Sequence, residues 1–438
     1  MNKVAVINYG CAKNLVDSEV MCGILAEAGY LPVNSPEEAD VIVVNTCGFI
    51  KPAREESYEA LKKVLRLKKK AKKKIIAAGC YVERWKDFLA HEFPQVDAWL
   101  GVGDLDKIVK VIEGSSYRQS KQCFLYDHKS PRLLSTPPSW TYVKISEGCS
   151  HQCSFCTIPL IKGPYRSRPV SSIIKEVEQL GAKGIKEINI ISQDTTYFGC
   201  ERNEKEGLVN LLRNILNIRE IEWIRILYGF PEEISDALLE IMQEEKICSY
   251  LDIPFQHSEE KILKKMGRAM NGRKALKLLE KIRKKIPDVA IRTSLIVGFP
   301  GEEEKEFEGL RKFCLEARFT HLGVFTYSRE KETQAFSLGD PVDKDEKIKR
   351  QQEILEIQAD ISRQNNRKFL KKKLPVLIEG TLKQDSNLLV GRSQYLAPEV
   401  DGCVFIPCGK DLASVVNRIQ KVEIVETDIY DLWGKLSA

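Results

Sequence analysis

Three cysteines lie close together in the stretch SEGCSHQCSFCTIP, which spans residues 146–159. They are Cys149, Cys153 and Cys156, in the spacing CxxxCxxC. A structural zinc site or a closed iron–sulfur cluster usually has four protein ligands, and no fourth cysteine follows nearby. Three thiolates on a four-iron cluster leave one iron free to bind the amine and carboxylate groups of another molecule. The spacing therefore favours an open [4Fe–4S] cluster.

Zinc is the alternative metal for this loop. It would need a fourth Cys or His at a regular spacing, and His151 is the one such residue that the loop offers. We interpret His151 instead as a polar loop residue and retain the cluster as the main hypothesis.

A second set of cysteines is spread over the first part of the chain. Three apolar strands each end at one of them: VAVIN (4–8) before Cys11, VIVVN (41–45) before Cys47 and IIAAG (75–79) before Cys80. Helical patterns follow the strands, which predicts a parallel α/β sheet. Ligands of such sheets bind beyond the carboxyl ends of the strands. We expect the three cysteines to converge there, the alternative being that they are small buried hydrophobic residues.

The CxxxCxxC loop needs its own scaffold. From Trp140 to about residue 365 a second series of strands and helices begins, with strands predicted at 141–145, 187–191, 223–227, 250–253, 289–296 and 321–326. Six βα units indicate a partial TIM-like barrel, whose chemistry lies at the carboxyl ends of the strands. The cysteine loop follows the first of these strands and so lies at the mouth of the barrel.

The predicted organisation has three domains in the α/β class. An N-terminal parallel α/β domain covers 1–116, a linker 117–134, the partial (β/α)6 barrel 135–365 and a small antiparallel β-barrel 367–436. A basic helix at about 344–372 leads into the last domain. Four short strands are predicted there, separated by Gly, Asp and Asn turns: PVLIEG, LLVGRS, GCVFIP and KVEIVE.

Composition excludes several classes of protein. The 438 residues carry a net charge of +6, which permits an RNA or ribosome partner without requiring one. Thirteen cysteines in a large chain without a secretion signal indicate metal binding or catalysis, not disulfides. No apolar run approaches the roughly 18 residues of a membrane span. We expect a cytoplasmic, monomeric protein that does not associate with membranes.

The cysteine loop, with Phe155 before its third cysteine, resembles the radical S-adenosylmethionine (SAM) superfamily. That resemblance implies that Cys149, Cys153 and Cys156 hold a [4Fe–4S] cluster that binds SAM and cleaves it to a radical. Together with GCAKNLVDSEV (10–20), VNTCGFI (44–50) and AAGCYVER (77–84), the whole chain resembles the methylthiotransferases. For that family, a second [4Fe–4S] cluster on Cys11, Cys47 and Cys80 is implied, with a TRAM-like terminal barrel.

Within that family, local motifs are similar to the ribosomal protein branch, the RimO type. They are KNLVDSE, NTCGFI, RSRP (166–169), QDTT (193–196) and APEVDG (397–402). Ala12 replaces the proline expected in this branch, which alters the stiffness of the loop and not its chemistry. The resemblance implies methylthiolation of the β-carbon of an aspartate in the twelfth protein of the small ribosomal subunit. It also implies two SAM molecules with different fates and a flavodoxin- or ferredoxin-like reductant.

Two other functions compete with this one. A tRNA adenosine methylthiotransferase would share both clusters, and a non-enzymatic iron–sulfur carrier would close its clusters with four cysteines. Against the tRNA enzyme, residues 374–438 contain six Lys or Arg and nine Asp or Glu, a net charge of about −3. An acidic barrel suits a basic protein target better than RNA.

Other site residues are predicted less directly. Phe155, Gln193, Arg225 and Gln256 fall near the expected barrel mouth and are possible SAM contacts, the alternative being polar residues tolerated at loop starts. No catalytic residue beyond the cluster ligands is identified. The other cysteines are interpreted as structural: Cys22, Cys123, Cys200, Cys248, Cys314, Cys403 and Cys408.

Overall fold

The N-terminal part of the chain is a parallel sheet covered by helices. The computed structural model describes residues 2–70, 72–116, 120, 122–407 and 414–437. The strands are β1 (Lys3–Asn8), β2 (Leu31–Pro32), β3 (Val41–Thr46), β4 (Lys74–Gly79) and β5 (Ala98–Leu100). The α-helices are α1 (Ala12–Glu27), α2 (Lys51–Lys70), α3 (Cys80–Glu92) and α4 (Ile108–Glu113). The strand order is β2-β1-β3-β4-β5, with all neighbours parallel.

The central part of the chain is the expected partial barrel. Its strands are β6 (Trp140–Lys144), β7 (Ser146–Glu147), β8 (Arg166–Ser167), β9 (Glu187–Ile191), β10 (Trp223–Ile226), β11 (Ile247–Asp252), β12 (Ala290–Val297) and β13 (His321–Thr326). The two short strands β7 and β8 pair as a small antiparallel hairpin. The six long strands form one parallel sheet in the order β13-β12-β11-β10-β9-β6. All six strands predicted from the apolar runs are present.

The helices of the core alternate with these strands. They are α5 (Ile158–Lys162), α6 (Val170–Ala182), α7 (Gly207–Leu216), α8 (Asp236–Ile241), α9 (Glu260–Lys265), α10 (Gly272–Lys285), α11 (Glu304–Ala317) and α12 (Lys344–Arg367). Short 3-10 helices occur at Leu105–Lys107, Cys200–Arg202, Pro231–Glu233 and Gln334–Leu338. No helix in the described part of the chain combines the length and apolar character that a membrane crossing requires.

The C-terminal domain is a closed barrel, as expected, but it is not wholly antiparallel, because one of its five strand pairs is parallel. Its strands are β14 (Lys373–Leu382), β15 (Asp385–Ser393), β16 (Val404–Pro407), β17 (Ile419–Thr427) and β18 (Leu432–Leu436), in the order β14-β15-β16-β18-β17. The sequence patterns predicted four of these strands and missed β18, whose short run LWGKL contains a glycine and a lysine. The basic helix also ends at Arg367, earlier than predicted.

The inner face of the partial barrel is filled by the other two domains. Val16 and Val20 of α1 and Leu377 and Ala397 of the terminal barrel belong to one buried apolar cluster with side chains of the core sheet. The core residues of that cluster are Trp140, Tyr142, Ile191, Trp223, Leu227, Cys248, Tyr250 and Ala290. An open sheet would expose this apolar face, so the three domains pack together where the barrel does not close.

Buried charges connect α1 to the core. The ammonium group of Lys144, at the end of β6, binds the carboxylates of Asp17 and Glu147, the latter at 2.7 Å. Lys162, the last residue of α5, lies 3.3 Å from Asp17 and 3.4 Å from Glu147. These four side chains, which we call the interdomain charge cluster, are at most 4% exposed. Two cations face two anions, so the charges compensate one another.

Other ion pairs support the same arrangement. Glu330, after β13, accepts from Arg54 of α2 and, at 2.9 Å, from Arg84 of α3. Arg132 pairs with Glu19 of α1 at 2.6 Å and with Glu176 of α6 at 2.8 Å. Arg132 lies in segment 117–134, predicted as a linker, of which residues 117–119 and 121 lie outside the described residues. The described part of this segment contains no helix or strand but is fastened to both domains.

We predict that Asp17→Asn lowers the free energy of unfolding by about 3–5 kcal/mol, because it leaves Lys144 and Lys162 with one buried carboxylate. Urea denaturation followed by tryptophan fluorescence measures the effect. Asp360→Asn is the control, since it removes an ion pair with Arg363 whose side chains are 71% and 41% exposed. Equal stability of Asp17→Asn and the control would contradict this role of the interdomain charge cluster.

Candidate functional site

The N-terminal cysteines follow three adjacent strands. Cys11 precedes α1 after β1, Cys47 follows β3, and Cys80 opens α3 directly after β4. Their loops are in contact: a Cβ added at Gly10 would lie 2.9 Å from the Cβ and 3.2 Å from the Sγ of Cys47. The sheet therefore brings Cys11, Cys47 and Cys80 to one edge, which we call the N-terminal triad.

Glycines permit this approach. Gly10 has a φ of 106°, in the region that favours glycine. A Cβ on Gly48 would come within 2.6 Å of the carbonyl oxygen of Cys80. Any other residue at either position would push two cysteine loops apart.

Burial sets the protonation of two cysteines of the N-terminal triad, Cys47 and Cys80. Burial, followed by the charge of Cys11, raises the pKa of Cys47 to about 11, and burial also raises the pKa of Cys80. Asn14 of α1 lies beside Cys80, with 3.5 Å between Sγ and Oδ1. These thiols are protonated at neutral pH in the absence of a metal, so loading with iron releases protons.

The second set of cysteines lies on the loop after β7, and we call it the core triad. Ser154 fixes this loop: its amide donates to Met266 O at 2.9 Å and its hydroxyl to Lys265 O at 2.6 Å. Burial raises the pKa of Cys149 to about 11 and that of Cys156 to about 12. Two hydrogen bonds thus anchor the loop, and the thiols of Cys149 and Cys156 hold their protons unless a metal displaces them.

A stack of side chains supports the core triad. His151 lies parallel to Phe230, with ring centroids 3.8 Å apart, and its Nε2 is 2.5 Å from Oδ2 of Asp194. The guanidinium of Arg268 lies 3.9 Å from the centre of the Phe230 ring, and its Nη1 is 3.8 Å from Sγ of Cys153. His151 is therefore held by a carboxylate and an aromatic ring, which agrees with its interpretation as a loop residue.

The donor sets fit clusters better than single ions. Among the described residues, no group of three His, Cys, Asp or Glu side chains is arranged to hold a single metal ion. The ligands of a four-iron cluster bind different irons, so they need not converge on one point. Each triad offers three thiols and, in the part of the chain that the structure describes, no fourth ligand. This donor set suits an open cluster and not tetrahedral zinc.

Gln193 lies beside the core triad. Its Nε2 donates to Oε1 of Glu147 at 2.7 Å, while its side-chain amide oxygen Oε1 is buried without a hydrogen-bond partner in the described structure. A buried acceptor without a donor is costly, and a bound molecule would relieve that cost. This arrangement supports the hypothesis that Gln193 contacts a bound ligand.

The positions of Phe155 and Gln256 are also near the mouth. Phe155 packs on a buried cluster that includes Met266 and Phe299. Gln256 follows β11 with a φ of 68°, and its backbone pairs with Ser294 and Ile296 of β12. Both remain predicted contacts.

Arg225 makes its described contacts with β9 and the terminal barrel, and its contact with SAM stays a prediction. Its Nε donates to Glu187 at 2.9 Å, and its Nη1 donates to the carbonyl oxygen of Gln394 at 2.7 Å. Glu187 also binds Arg392 of the terminal barrel at 2.7 Å. Because its side chain points toward the amino end of β9, Arg225 joins the core to the terminal barrel.

Several acids of the terminal barrel have partners within the protein and add little to its surface charge. Glu379 binds Arg392, Glu399 accepts from Tyr142 at 2.8 Å, and Asp401 accepts from Tyr250 at 2.6 Å. Three of the nine acids therefore have hydrogen-bond or ion-pair partners within the protein, although Glu399 itself is exposed. Lys410 and Asp411 lie outside the described residues, as does Cys408. The acidic surface is smaller than the sequence count indicates.

Sequence reasoning missed several polar residues around the triads. Lys144, Lys162 and Glu147 sit between the domains, and Arg268 touches Cys153. The motif KNLVDSE could have indicated the interdomain charge cluster, because its Asp17 is one of the four members. Arg268 gave no signal because it lies more than 100 residues along the chain from Cys153 in an unremarkable polar stretch.

Known proteins match every part of this architecture. Family models match residues 3–101 (Uncharacterized protein family UPF0004), 143–314 (Radical SAM superfamily) and 372–436 (TRAM domain). The chain is 42% identical over 442 residues to the ribosomal protein uS12 methylthiotransferase RimO of Pelobacter propionicus, covering 99% of this chain and 98% of that protein. It is 44% identical to the RimO protein of Caldanaerobacter subterraneus subsp. tengcongensis, covering 99% and 100%.

The chain belongs to the RimO family. The expected resemblance to the ribosomal protein methylthiotransferases is thereby confirmed, as is the fold class. Among solved structures, the radical SAM methyltransferase TsrM from Kitasatospora setae matches with a TM-score of 0.54 at 15% identity, covering 74% of this chain and 73% of that one. That similarity shows a shared fold.

The RimO-type motifs have structural roles here. In KNLVDSE, Asn14 donates to Tyr9 O and Thr46 O, Ser18 accepts from Asn45 at 2.8 Å, and Glu19 binds Arg132. In RSRP, Arg168 pairs with Glu176 at 2.6 Å. These motifs hold the domains and the cysteine loops in place.

We predict an acid-sensitive stability from Glu147. Burial opposes its ionisation, but Lys144 and Lys162 lower its pKa from 4.5 to about 2. A lowered pKa contributes stability above the unfolded value that is lost as the pH falls through the folded value. The stability difference between wild type and Glu147→Gln should be largest above about pH 5 and shrink toward pH 2. Melting temperatures across this range test it; a difference independent of pH would contradict it.

Proposed function

We propose that this chain adds a methylthio group to the β-carbon of an aspartate in ribosomal protein uS12. The observation that carries the proposal is the 42–44% identity to RimO proteins over 99% of the chain, joined to two separate triads of cysteines. The relatives bear the name ribosomal protein uS12 methylthiotransferase. All the domains needed for that activity are present in one chain.

The core triad is proposed to hold the [4Fe–4S] cluster that binds SAM. A TsrM structure of the same fold contains such a cluster. When bound and reduced, cluster and cofactor supply the radical that abstracts hydrogen from an unactivated carbon, which side-chain acid–base chemistry does not achieve. Within this chain, the free carbonyl oxygen of Gln193 would accept from the cofactor, and Phe155 would pack beside it.

The N-terminal triad is proposed to hold a second [4Fe–4S] cluster, which handles the sulfur to be transferred. Three thiols of adjacent strands, with Gly10 and Gly48 packed against neighbouring loops, make a site of fixed shape. The interdomain charge cluster keeps this triad facing the barrel mouth. Because Cys11 is exposed, the site is open on one side to an incoming molecule.

Several properties follow from this assignment. A low-potential donor of the flavodoxin or ferredoxin type would supply electrons. We expect the enzyme to act in the cytoplasm, because ribosomal proteins are made and assembled there. We also expect it to be a monomer.

Mass spectrometry of cells that lack this chain tests the substrate. We predict loss of a mark of about 46 Da, the increment of a methylthio group replacing hydrogen, from the aspartate-containing peptide of uS12. Complementation with the wild-type chain should restore it. Loss of the same mark from tRNA, with uS12 unaffected, would show that the tRNA enzyme is the correct assignment.

Iron analysis tests the two clusters separately. Reconstituted wild-type protein should bind about eight irons, and Cys149→Ala and Cys80→Ala about four each, because each variant loses one cluster ligand set. Cys149→Ala should also lose reductive SAM cleavage. Cys314→Ala, at a buried cysteine of α11 remote from both triads, is the control and should keep all its iron. Full iron content in Cys80→Ala would refute the second cluster.

A further inference from the structure

Four lysine side chains are buried in the described part of the chain: Lys13, Lys144, Lys162 and Lys347. Three of them have carboxylate partners. Lys144 and Lys162 belong to the interdomain charge cluster, and Lys347 binds Asp340. For Lys13, no carboxylate of the described residues lies within 4.0 Å of the ammonium group, although the side chain is only 8% exposed. Lys13 is therefore the one of these four lysines without a direct ion pair, and the charge of Asp252 acts on it only from a longer distance.

An aromatic ring partly compensates this charge. The ammonium nitrogen of Lys13 lies 3.3 Å from the centre of the Tyr228 ring, in cation–π geometry. Such a contact offsets only part of the cost of removing an ammonium group from water. An anionic ligand would complete the site.

The backbone of Tyr228 has a strained conformation, which positions its ring. Tyr228 follows β10 with a φ of 61°, a left-handed conformation that costs a bulky residue about 1–3 kcal/mol. Its amide donates to Oδ2 of Asp252 at 3.2 Å, and its carbonyl oxygen accepts from Thr195 at 2.8 Å. Two neighbouring strand ends therefore fix the ring under Lys13, and strain retained in this way is typical of binding sites.

The Lys13–Tyr228 pair lies between two parts of the candidate site. Lys13 lies in the first turn of α1, two residues after Cys11 of the N-terminal triad. Tyr228 and Asp252 lie at the carboxyl ends of β10 and β11, which form the mouth of the barrel. The pair thus stands between the N-terminal triad and the core.

We propose that Lys13, seated on the Tyr228 ring, binds the side-chain carboxylate of the substrate aspartate. This inference rests on the proposed function. The carbon to be modified is bonded directly to that carboxylate, so a cation that binds the carboxylate fixes the position of the carbon. The same contact selects aspartate, because asparagine offers no charge and would leave the buried ammonium unpaired.

The carboxylate of SAM is the other source of the same chemistry. The position of Lys13 favours the substrate, because it belongs to the helix that starts at the N-terminal triad and not to the loop of the core triad. Two arms of one experiment separate these sources.

The first arm measures binding of purified uS12, with aspartate or asparagine at the target position, to the reconstituted enzyme without reductant. We predict that the wild type prefers aspartate by at least about tenfold. Lys13→Met and Lys13→Gln should bind both proteins equally and as weakly as wild type binds the asparagine form. Lys277→Met, at an exposed lysine of α10, is the matched control and should keep the preference.

The second arm measures SAM binding by equilibrium dialysis and iron content for the same variants. Both should match the wild type within about twofold, which also shows that the variants are folded. Wild-type enzyme without a preference for aspartate, or Lys13 variants that keep it, would overturn the proposal. Loss of SAM affinity with the aspartate preference kept would assign the site to SAM and overturn it also.

The proposed function fails in a different way. If wild-type enzyme neither binds uS12 nor methylthiolates it after reduction, the substrate itself is wrong and the Lys13 assignment falls with it. If wild type modifies uS12 but does not prefer aspartate in binding, only the Lys13 assignment is wrong.

Discussion

The arrangement of the domains depends on the interdomain charge cluster, in which two buried lysines of the core meet one carboxylate of α1 and one of the core. Asp17 is the only member from the N-terminal domain, and it must reach both Lys144 and Lys162 at once. Buried ion pairs contribute little net stability compared with apolar packing, but an unmatched charge is expensive. We interpret the cluster as a device that accepts one orientation of α1 and penalises others.

That orientation determines where the chemistry takes place. Cys11 and Lys13 lie at the start of α1, within two turns of Asp17, so fixing Asp17 also fixes them. Lys144 and Glu147 precede the core triad loop in sequence and Lys162 follows it, so the same contacts hold that loop. The N-terminal triad follows the carboxyl ends of parallel strands, and the core triad follows β7, just beyond the carboxyl end of the parallel strand β6. The charge cluster brings those two edges together. The terminal barrel completes the enclosure by filling the lower part of the open core sheet through Leu377 and Ala397.

Much of the fold follows from local patterns, and the reasons are physical. Strands such as β3 and β4 are covered on both faces, so their apolar runs are continuous and easy to identify. The cysteines could be placed because strand ends in a parallel sheet share one edge. Strand β18 was missed because half of its side chains face solvent, and its run of apolar residues is broken. The contacts of Arg225 with Glu187 and the terminal barrel were not predicted, because a position in a strand does not reveal toward which end the side chain points. Lys13 and Arg268 depend on partners more than 100 residues away, which no local pattern contains.

The central claim is that one chain holds two open clusters on two triads that face each other across the domain boundary. Anomalous diffraction at the iron edge from crystals of the reconstituted protein tests this most directly. The account predicts two separate iron sites, one bound by Cys11, Cys47 and Cys80 and the other by Cys149, Cys153 and Cys156, both near Lys13 at the barrel mouth. A single iron site, or a cluster closed by a fourth protein ligand, would contradict it.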